Sequence, residues 1–299
     1  MNIDNCRLFL RAVKLGSLTA AAEQSGYTQS ALSHIIASME KEFGFRLFAR
    51  SKTGVTLTQE GERMLPYIKD AVNRMDIMLD EALEIKGLKS GRVRIGAFSS
   101  LAIMRLPEII REFNALHPNI DIDLRVDTYR TIEEWLLSGE VDCGFLSDAT
   151  AEGLEFKALA EDRLLALLPE GHPLADGASI PVSKIKNIDF IVPGEGTNYD
   201  IGRIFREANI NPRVRFAVSD DYAAAAMVRQ GLGMTILPEL IIEGIGEMGR
   251  TLELEPQKTR VIGLAVRRGT TIAPACRAFM DFAESALCTI TDKQDKITQ

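Results

Sequence analysis

Five polar side chains between residues 28 and 34 have the types and spacing that suit contacts with DNA bases. They are Thr28, Gln29, Ser30, Ser33 and His34. A glutamine amide can both donate to and accept from adenine in one bidentate contact, and serine and histidine can reach bases or phosphates. We interpret this segment as a candidate base-reading surface. The alternative for His34 is a solvated surface residue with no such role.

A helix is predicted to present these side chains on one side. Its other side is an apolar stripe with helical spacing, formed by Leu32, Ile35, Ile36, Met39 and Phe43. Thr28 is predicted to cap the start of this helix, and Gly44 is predicted to end it.

Two further helices are predicted before it. The first has apolar residues at i, i+3, i+4 and i+7 and ends near Gly16; these residues are Cys6, Phe9, Leu10 and Val13. Ser17 is expected to cap a short Ala-rich second helix that Gly26 ends. A helix, a tight turn and a second helix with short polar residues at its exposed amino end is the arrangement that enters the DNA major groove. The alternative is a three-helix core that binds protein or nothing.

A two-stranded hairpin, or wing, is predicted after Gly44. Residues 45–50 and 55–58 are β-prone, and the polar segment between them contains a glycine. Arg50 and Lys52 would then face the sugar-phosphate backbone, where their charges add affinity that does not depend on base sequence. Lys52 could instead be one exposed charge among many.

These elements resemble a known family. The run GSLTAAAEQSGYTQSALSHIIASMEKEFGFRLFARSKTGVTLTQEGERML, residues 16–65, resembles the winged helix-turn-helix of LysR-type transcriptional regulators. We therefore predict a DNA-binding domain over residues 1–58 with its helix-turn-helix at 18–37. The predicted DNA contacts are Ser17, Thr28, Gln29, Ser30, Ser33, His34, Arg50 and Lys52. Ser30 stands where the family commonly has proline, so the first turn of the helix loses some preorganisation and gains a hydroxyl.

A linker helix is predicted over residues 59–89. Its seam residues alternate by three and four, and all but the last are apolar: Leu65, Ile68, Val72, Met75, Leu79, Ala82 and Lys86. This spacing favours pairing with another helix, and the alternative is an amphipathic helix that lies on its own chain. The resemblance implies that this helix joins two copies and places their recognition helices on successive major grooves.

From residue 92 onward, β-prone and helical segments alternate, which predicts a parallel sheet with helices on both faces. The resemblance implies that residues 90–299 form an α/β effector domain with two lobes, built like a periplasmic solute-binding protein. Lobe I would contain residues 92–162 and 267–299, and lobe II residues 163–266. Two crossing strands would join them.

The ends of the predicted strands carry residues suited to ligand binding, because open α/β sheets bind ligands beyond the carboxyl ends of their strands. They are Ser99, Ser100, Thr128, Phe145, Gly196, Thr197 and Ser219. Ser99 and Ser100 open a helix, so their hydroxyls and the free N–H groups could hold a carboxylate. Plain N-capping explains Ser100 equally well. We predict a small, polar, anionic effector between the lobes.

Composition is that of a soluble globular protein with two or three domains. The 299 residues are 46% hydrophobic and 26% charged, and no apolar run reaches the roughly 18–20 residues that span a bilayer. The start lacks the features of a secretory signal, so we expect a cytoplasmic protein without a membrane partner. The net charge of −7 lies outside the DNA-binding region, because residues 1–66 contain eight Lys and Arg against six Asp and Glu.

Catalytic and metal chemistry have little support in the sequence. The cysteines are isolated from one another, and the three histidines have no evident nucleophile partner. We predict no catalytic residue, no metal and no cofactor. The predicted partners are promoter DNA, a small-molecule effector, further copies of the chain (a dimer and, by the resemblance, a tetramer) and RNA polymerase as a further candidate. A transport-type binding protein is the rival interpretation of the C-terminal domain.

Overall fold

The computed structural model describes residues 2–51, 54–86, 90–148, 153–193 and 195–297, with side chains described except at 195–198 and 288–297. The chain divides into two compact units, Met1–Leu88 and Lys89–Gln299. Each unit is built around its own buried apolar residues.

Three helices open the first unit: α1 (Ile3–Leu15), α2 (Leu18–Gln24) and α3 (Gln29–Phe43). The side chains of Asn2, Ser17 and Thr28 each accept a hydrogen bond from a backbone N–H in the first turn, which satisfies a donor that the helix leaves free. Gly16 and Gly44 end α1 and α3 in the left-handed conformation. The predicted end of α1 and the predicted start and end of α3 are confirmed.

The wing is an antiparallel hairpin of β1 (Phe48–Ser51) and β2 (Gly54–Leu57). Its first strand begins three residues later than predicted, because the N–H of Leu47 and that of Phe48 are bonded to the buried carboxylate of Glu40. Lys52 lies outside the described residues. Thr58 follows the wing and caps the next helix.

The linker helix is α4 (Gln59–Ile85), which continues through Pro66. Ile68 is buried, and Leu65 and Val72 pack against the core of the first three helices. The first half of the predicted seam therefore lies on its own chain, as the alternative interpretation held. Farther along α4, Leu79 is 48% exposed. The second half of the predicted seam is exposed to solvent in the single chain.

The first lobe of the second unit contains a parallel sheet with helices beside it. Its elements are β3 (Gly91–Ala97), α5 (Ser99–Met104), α6 (Leu106–Leu116), β4 (Ile120–Val126), α7 (Tyr129–Ser138) and β5 (Cys143–Ser147). The sequence predicts one helix over 100–116, but the helix breaks at Arg105. The reason is Pro107, which lacks an N–H and fits only the first turn of a new helix.

The chain then crosses to the second lobe along the long strand β6 (Leu154–Leu168). The second lobe contains β7 (Ser179–Pro181), a 3-10 helix (Val182–Asn187), β8 (Asp189–Val192), α8 (Glu195–Glu207), β9 (Arg213–Ala217), α9 (Asp221–Arg229), β10 (Thr235–Pro238), α10 (Glu239–Ile245) and β11 (Arg250–Glu255). The strand β12 (Thr259–Arg267) returns to the first lobe, and α11 (Pro274–Ile297) follows it.

The main sheet is mixed, not parallel throughout as predicted. Its order is β4-β3-β5-β12-β6-β11-β7, and β10 also pairs with β6. β12 runs antiparallel to both β5 and β6, because the two strands that cross between the lobes run in opposite directions. Residues 262–265 pair with β5, so they belong to the sheet of the first lobe, although the predicted boundary assigns them to the second.

Gly61→Ala is expected to destabilise the first unit, although alanine is the better helix former. A Cβ on Gly61 would lie 2.2 Å from the carbonyl oxygen of Leu47. We expect a loss on the order of 1–3 kcal/mol from overpacking, measured by urea unfolding followed with circular dichroism.

The matched control for that change is Gly202→Ala on α8. A Cβ there would meet only the flexible end of Arg206, at 3.3 Å, so alanine should stabilise by up to about 1 kcal/mol. Equal changes in the free energy of unfolding for the two substitutions would contradict the close approach of α4 to Leu47.

Candidate functional site

The amino end of α3 presents its polar side chains to solvent. Gln29, Ser30 and His34 are exposed, and Ser33 is half-buried. The amide nitrogen of Gln29 donates to the Ser33 hydroxyl at 2.9 Å. This bond holds the glutamine side chain along the helix and leaves its carbonyl oxygen available. The predicted base-reading side chains therefore share one surface, and their contacts with bases remain predictions.

Two of the predicted DNA contacts already have a structural role. The hydroxyls of Ser17 and Thr28 accept hydrogen bonds from the N–H groups of Ala20 and Ala31, both at 3.2 Å. Capping fixes the starts of α2 and α3, and thereby the turn between them. Arg50 is exposed on β1.

A buried carboxylate joins the wing to α3. Glu40 is 7% exposed, and its Oε1 accepts from the N–H of Leu47 at 2.8 Å and from that of Phe48 at 3.2 Å. The wing is also tied to the turn before α2, because the N–H of Val55 donates to the carbonyl of Gly16 at 2.9 Å. Glu40 was not predicted from the sequence, although it follows Leu32, Ile36 and Met39 on the buried side of α3.

A second polar site lies where the two lobes meet. Arg260, on β12, is fully buried, and its Nε and Nη2 donate to one carboxylate oxygen of Asp162 at 2.9 and 2.6 Å. Nη2 also donates to the Ser100 hydroxyl at 2.9 Å. The ring of Phe98 covers the guanidinium, with its centroid 4.9 Å from Cζ. A buried guanidinium needs such partners because an isolated charge is strongly disfavoured away from water.

Side chains from both lobes complete this cluster. Asp200, on α8 of the second lobe, accepts from the Ser147 hydroxyl at 3.0 Å and from the Tyr129 hydroxyl at 3.4 Å. The Tyr129 oxygen accepts from Nη1 of Arg260 at 2.7 Å, and a carboxylate oxygen of Asp200 lies 3.8 Å from Nη1. The Arg260 cluster consists of Arg260, Asp162, Asp200, Tyr129, Ser100 and Ser147.

Two further ion pairs link the lobes. Arg203 on α8 lies 3.2 Å from Asp148, which follows β5. Arg105, between α5 and α6, lies 2.8 Å from Glu243 on α10. The lobe junction is therefore held by several polar contacts in addition to the crossing strands.

The predicted effector residues have different surroundings in the structure. Ser100 is in the Arg260 cluster, and Thr128 caps the helix that carries Tyr129. Phe145 is completely buried, while Ser99 and Ser219 are exposed. Gly196 and Thr197 lie in the first turn of α8, where side chains are not described. Their roles in effector binding stay predictions.

The charged members of the cluster were not predicted from the sequence. Arg260 could have been found, because it alternates along β12 with Ile262 and Leu264, which are buried. A charged residue in register with buried apolar residues on a strand requires a buried partner. Asp162 carries the same kind of signal, because it alternates along β6 with Leu164 and Ala166, which are buried. Asp200 lies on a helix and has no such strand alternation.

Burial sets the protonation of the cluster. It raises the pKa of Asp200 above its usual value, although Arg260, Ser147, Arg203 and Tyr129 all act to lower it. Burial also raises the pKa of Tyr129, so its hydroxyl keeps its proton and can donate to Asp200. Two carboxylates face one guanidinium here, so when both are ionised the cluster carries an excess of one negative charge.

Comparison with known proteins identifies the family. Residues 86–288 match the model of the LysR substrate binding domain, and residues 3–62 match that of bacterial regulatory helix-turn-helix proteins of the lysR family. The chain belongs to the LysR family of transcriptional regulators. It is 30% identical to the uncharacterized HTH-type transcriptional regulator YvbU of Bacillus subtilis (strain 168) over 287 residues, 95% of this chain and 98% of that protein.

Solved structures support the same fold for this LysR-type regulator. The effector binding domain of QuiR in complex with shikimate is 26% identical, with a TM-score of 0.62, and the match covers 67% of this chain and 98% of that one. Full-length CbnR complexed with its target DNA is 19% identical, with a TM-score of 0.66, and the match covers 96% and 100% of the two chains. Among the described residues, no helix is long and apolar enough to span a membrane.

Gln29→Ala is expected to relax the preference for one base in each half-site, at a cost of about 1–3 kcal/mol in binding free energy. The amide that can recognise a base edge is lost, while contacts with phosphates remain. Arg50→Ala should instead weaken binding to all sequences alike and reduce its salt dependence. Titrations with the operator and with single-base variants distinguish the two. Identical profiles for both substitutions would refute the division between base contacts and backbone contacts.

Asp200→Asn is expected to gain stability relative to the wild type as the pH rises. An acid whose pKa is raised on folding binds its proton more tightly in the folded state, so the stability that it contributes is lost as the pH rises through the folded pKa. The pH range over which this stability is lost begins near 3.8, the ordinary pKa of an aspartate, and extends to higher pH.

Asparagine keeps the shape of aspartate and does not titrate, so the variant isolates this single group. Thermal unfolding of both proteins between about pH 4 and 7 should show a wild-type stability that falls relative to that of the variant. A difference that is constant with pH would contradict the raised pKa.

Proposed function

We propose that this LysR-type regulator binds a specific promoter sequence through α3 and the wing, under the control of a small carboxylate-bearing effector held between the lobes. The observation that supports control by an effector is the Arg260 cluster, in which a buried guanidinium has partners from both lobes. A ligand that replaces one of these partners in its contact with Arg260 favours one arrangement of the lobes over another.

The chemistry of the cluster supports a carboxylate-bearing effector. Arg260 supplies a positive charge with a planar set of donors, which is the group best suited to pair with carboxylates. Ser100, Tyr129 and Ser147 add hydroxyls for a polar ligand. The similar domain of QuiR is complexed with shikimate, a hydroxylated carboxylate.

We propose that two copies pair through the second half of α4. Met78, Leu79 and Ile85 are large apolar side chains there, and they are 56%, 48% and 80% exposed. Contiguous exposed apolar residues of this kind mark interaction surfaces. Such a dimer would place two α3 helices on successive major grooves about 34–36 Å apart. A tetramer formed by the effector domains and a contact with RNA polymerase are further proposals, and they rest on the resemblance.

We propose regulation rather than catalysis, in the cytoplasm and without a cofactor. The hydroxyls of Ser100 and Tyr129 accept from the guanidinium, and that of Ser147 donates to Asp200. These bonds orient the hydroxyls for holding a ligand. A transport-type binding protein would not need the helix-turn-helix that precedes this domain.

The test is a footprint of the full chain on the DNA upstream of its own gene, at moderate salt, with and without a panel of carboxylate metabolites and their amides. We expect protection of two half-sites one helical turn apart. At least one carboxylate, but not its amide, should both raise the melting temperature and change the footprint. Absence of preference over competitor DNA would reject the regulator. Thermal stabilisation with an unchanged footprint would reject the control by effector.

A further inference from the structure

Nearly every donor of Arg260 is already used within the protein. A guanidinium has five N–H groups. Nε donates to Asp162, Nη2 donates to Asp162 and to Ser100, and Nη1 donates to Tyr129. The remaining N–H is on Nη1, the nitrogen that lies 3.8 Å from the carboxylate of Asp200. Phe98 covers a face of the group.

Judged by the contacts of the described residues, Asp200 therefore lies beside the part of the guanidinium that could pair with an incoming anion. Its carboxylate comes from α8 of the second lobe and is held by hydroxyls of Ser147 and Tyr129 in the first. A ligand carboxylate added next to it would place three negative groups around one positive charge in a buried site, which is strongly unfavourable. An anion can reach Arg260 only if Asp200 leaves.

We propose that Asp200 is a built-in competitor for the effector, and that a carboxylate ligand binds by taking its place beside Arg260. This inference rests on the proposed function and specifies how the same site is regulated. The ligand carboxylate would accept the hydrogen bonds of Ser147 and Tyr129 that Asp200 leaves, together with one from the remaining N–H of Nη1. Displacement removes a direct bridge between α8 and the first lobe, so ligand binding changes how the lobes are held.

The two carboxylates of the cluster are not equivalent in this exchange. Asp162 accepts two hydrogen bonds from Arg260, and its other oxygen accepts from the N–H of Leu240 at 3.2 Å. It lies on β6, which pairs with the strand that carries Arg260. Among the side chains that the structure describes, the partners of Asp200 all lie across the lobe junction, and they are two hydroxyls and a longer ionic contact. The exchangeable carboxylate is therefore Asp200.

The test measures acetate binding to the full chain by thermal shift, at constant ionic strength, for the wild type, Asp200→Asn and Asp189→Asn. Asp189→Asn is the matched control, because it removes one negative charge from the same lobe and frees exposed partners, Arg213 and Arg215. We expect acetate to bind Asp200→Asn at least tenfold more tightly than the wild type, with Asp189→Asn unchanged. Acetamide, the uncharged analogue, should not distinguish the three proteins.

Hydrogen exchange supplies a second measurement that needs no substitution. Saturating acetate should increase amide exchange in the segment 199–207 of α8 in the wild type, and should have less effect in Asp200→Asn. Equal acetate affinity in the wild type and Asp200→Asn, an equal gain in Asp189→Asn, or unchanged exchange in α8 would each overturn the proposal.

The operator footprint of the same three proteins, recorded without acetate, separates this inference from the proposed function. A normal footprint with equal acetate affinities rejects displacement alone. Loss of specific DNA binding in the wild type rejects the regulator itself.

Discussion

A guanidinium buried in protein must have its charge balanced and its N–H groups bonded, and at Arg260 this requirement draws on both lobes. Asp162 meets it from the neighbouring crossing strand, Tyr129 and Ser100 from the first lobe, and Asp200 from the second. Each of these groups would be costly to leave buried without its partner. The lobe junction therefore behaves as a connected set of polar groups, in which a change at one member alters the others.

The first unit uses a buried ion in a different way. The carboxylate of Glu40 accepts from two backbone N–H groups at the start of the wing through a single oxygen, and this oxygen fixes the course of the main chain. No ligand needs to enter there, and the arrangement is suited to rigidity. The same physical rule thus yields a fixed support beneath the predicted DNA-contacting surface and, at the lobe junction, a set of partners that we propose a ligand exchanges.

Sequence predicted best those features whose causes are local. Caps at Ser17 and Thr28, stops at Gly16 and Gly44 and the apolar stripe of α3 depend on neighbours within one turn, and all were found. The three-residue strand β7 and the antiparallel direction of β12 depend on partners far away in the chain. The sequence pattern therefore predicted β12 as a strand but not its direction, and it did not predict β7. The helix break at Arg105 lies between these two classes, because Pro107 is a local signal for it that the predicted helix did not take into account.

The Arg260 cluster shows the same limit at the level of single residues. Among the predicted effector residues, Ser100 was found through its position at a helix start, whereas Asp200 looks in sequence like any acidic residue on a helix. Its role depends on hydroxyls that lie 53 and 71 residues away along the chain. A carboxylate held from a distance by weak partners is also the one that a ligand can displace, because no local geometry fixes it. What made Asp200 unpredictable is thus the same property that suits it to regulation.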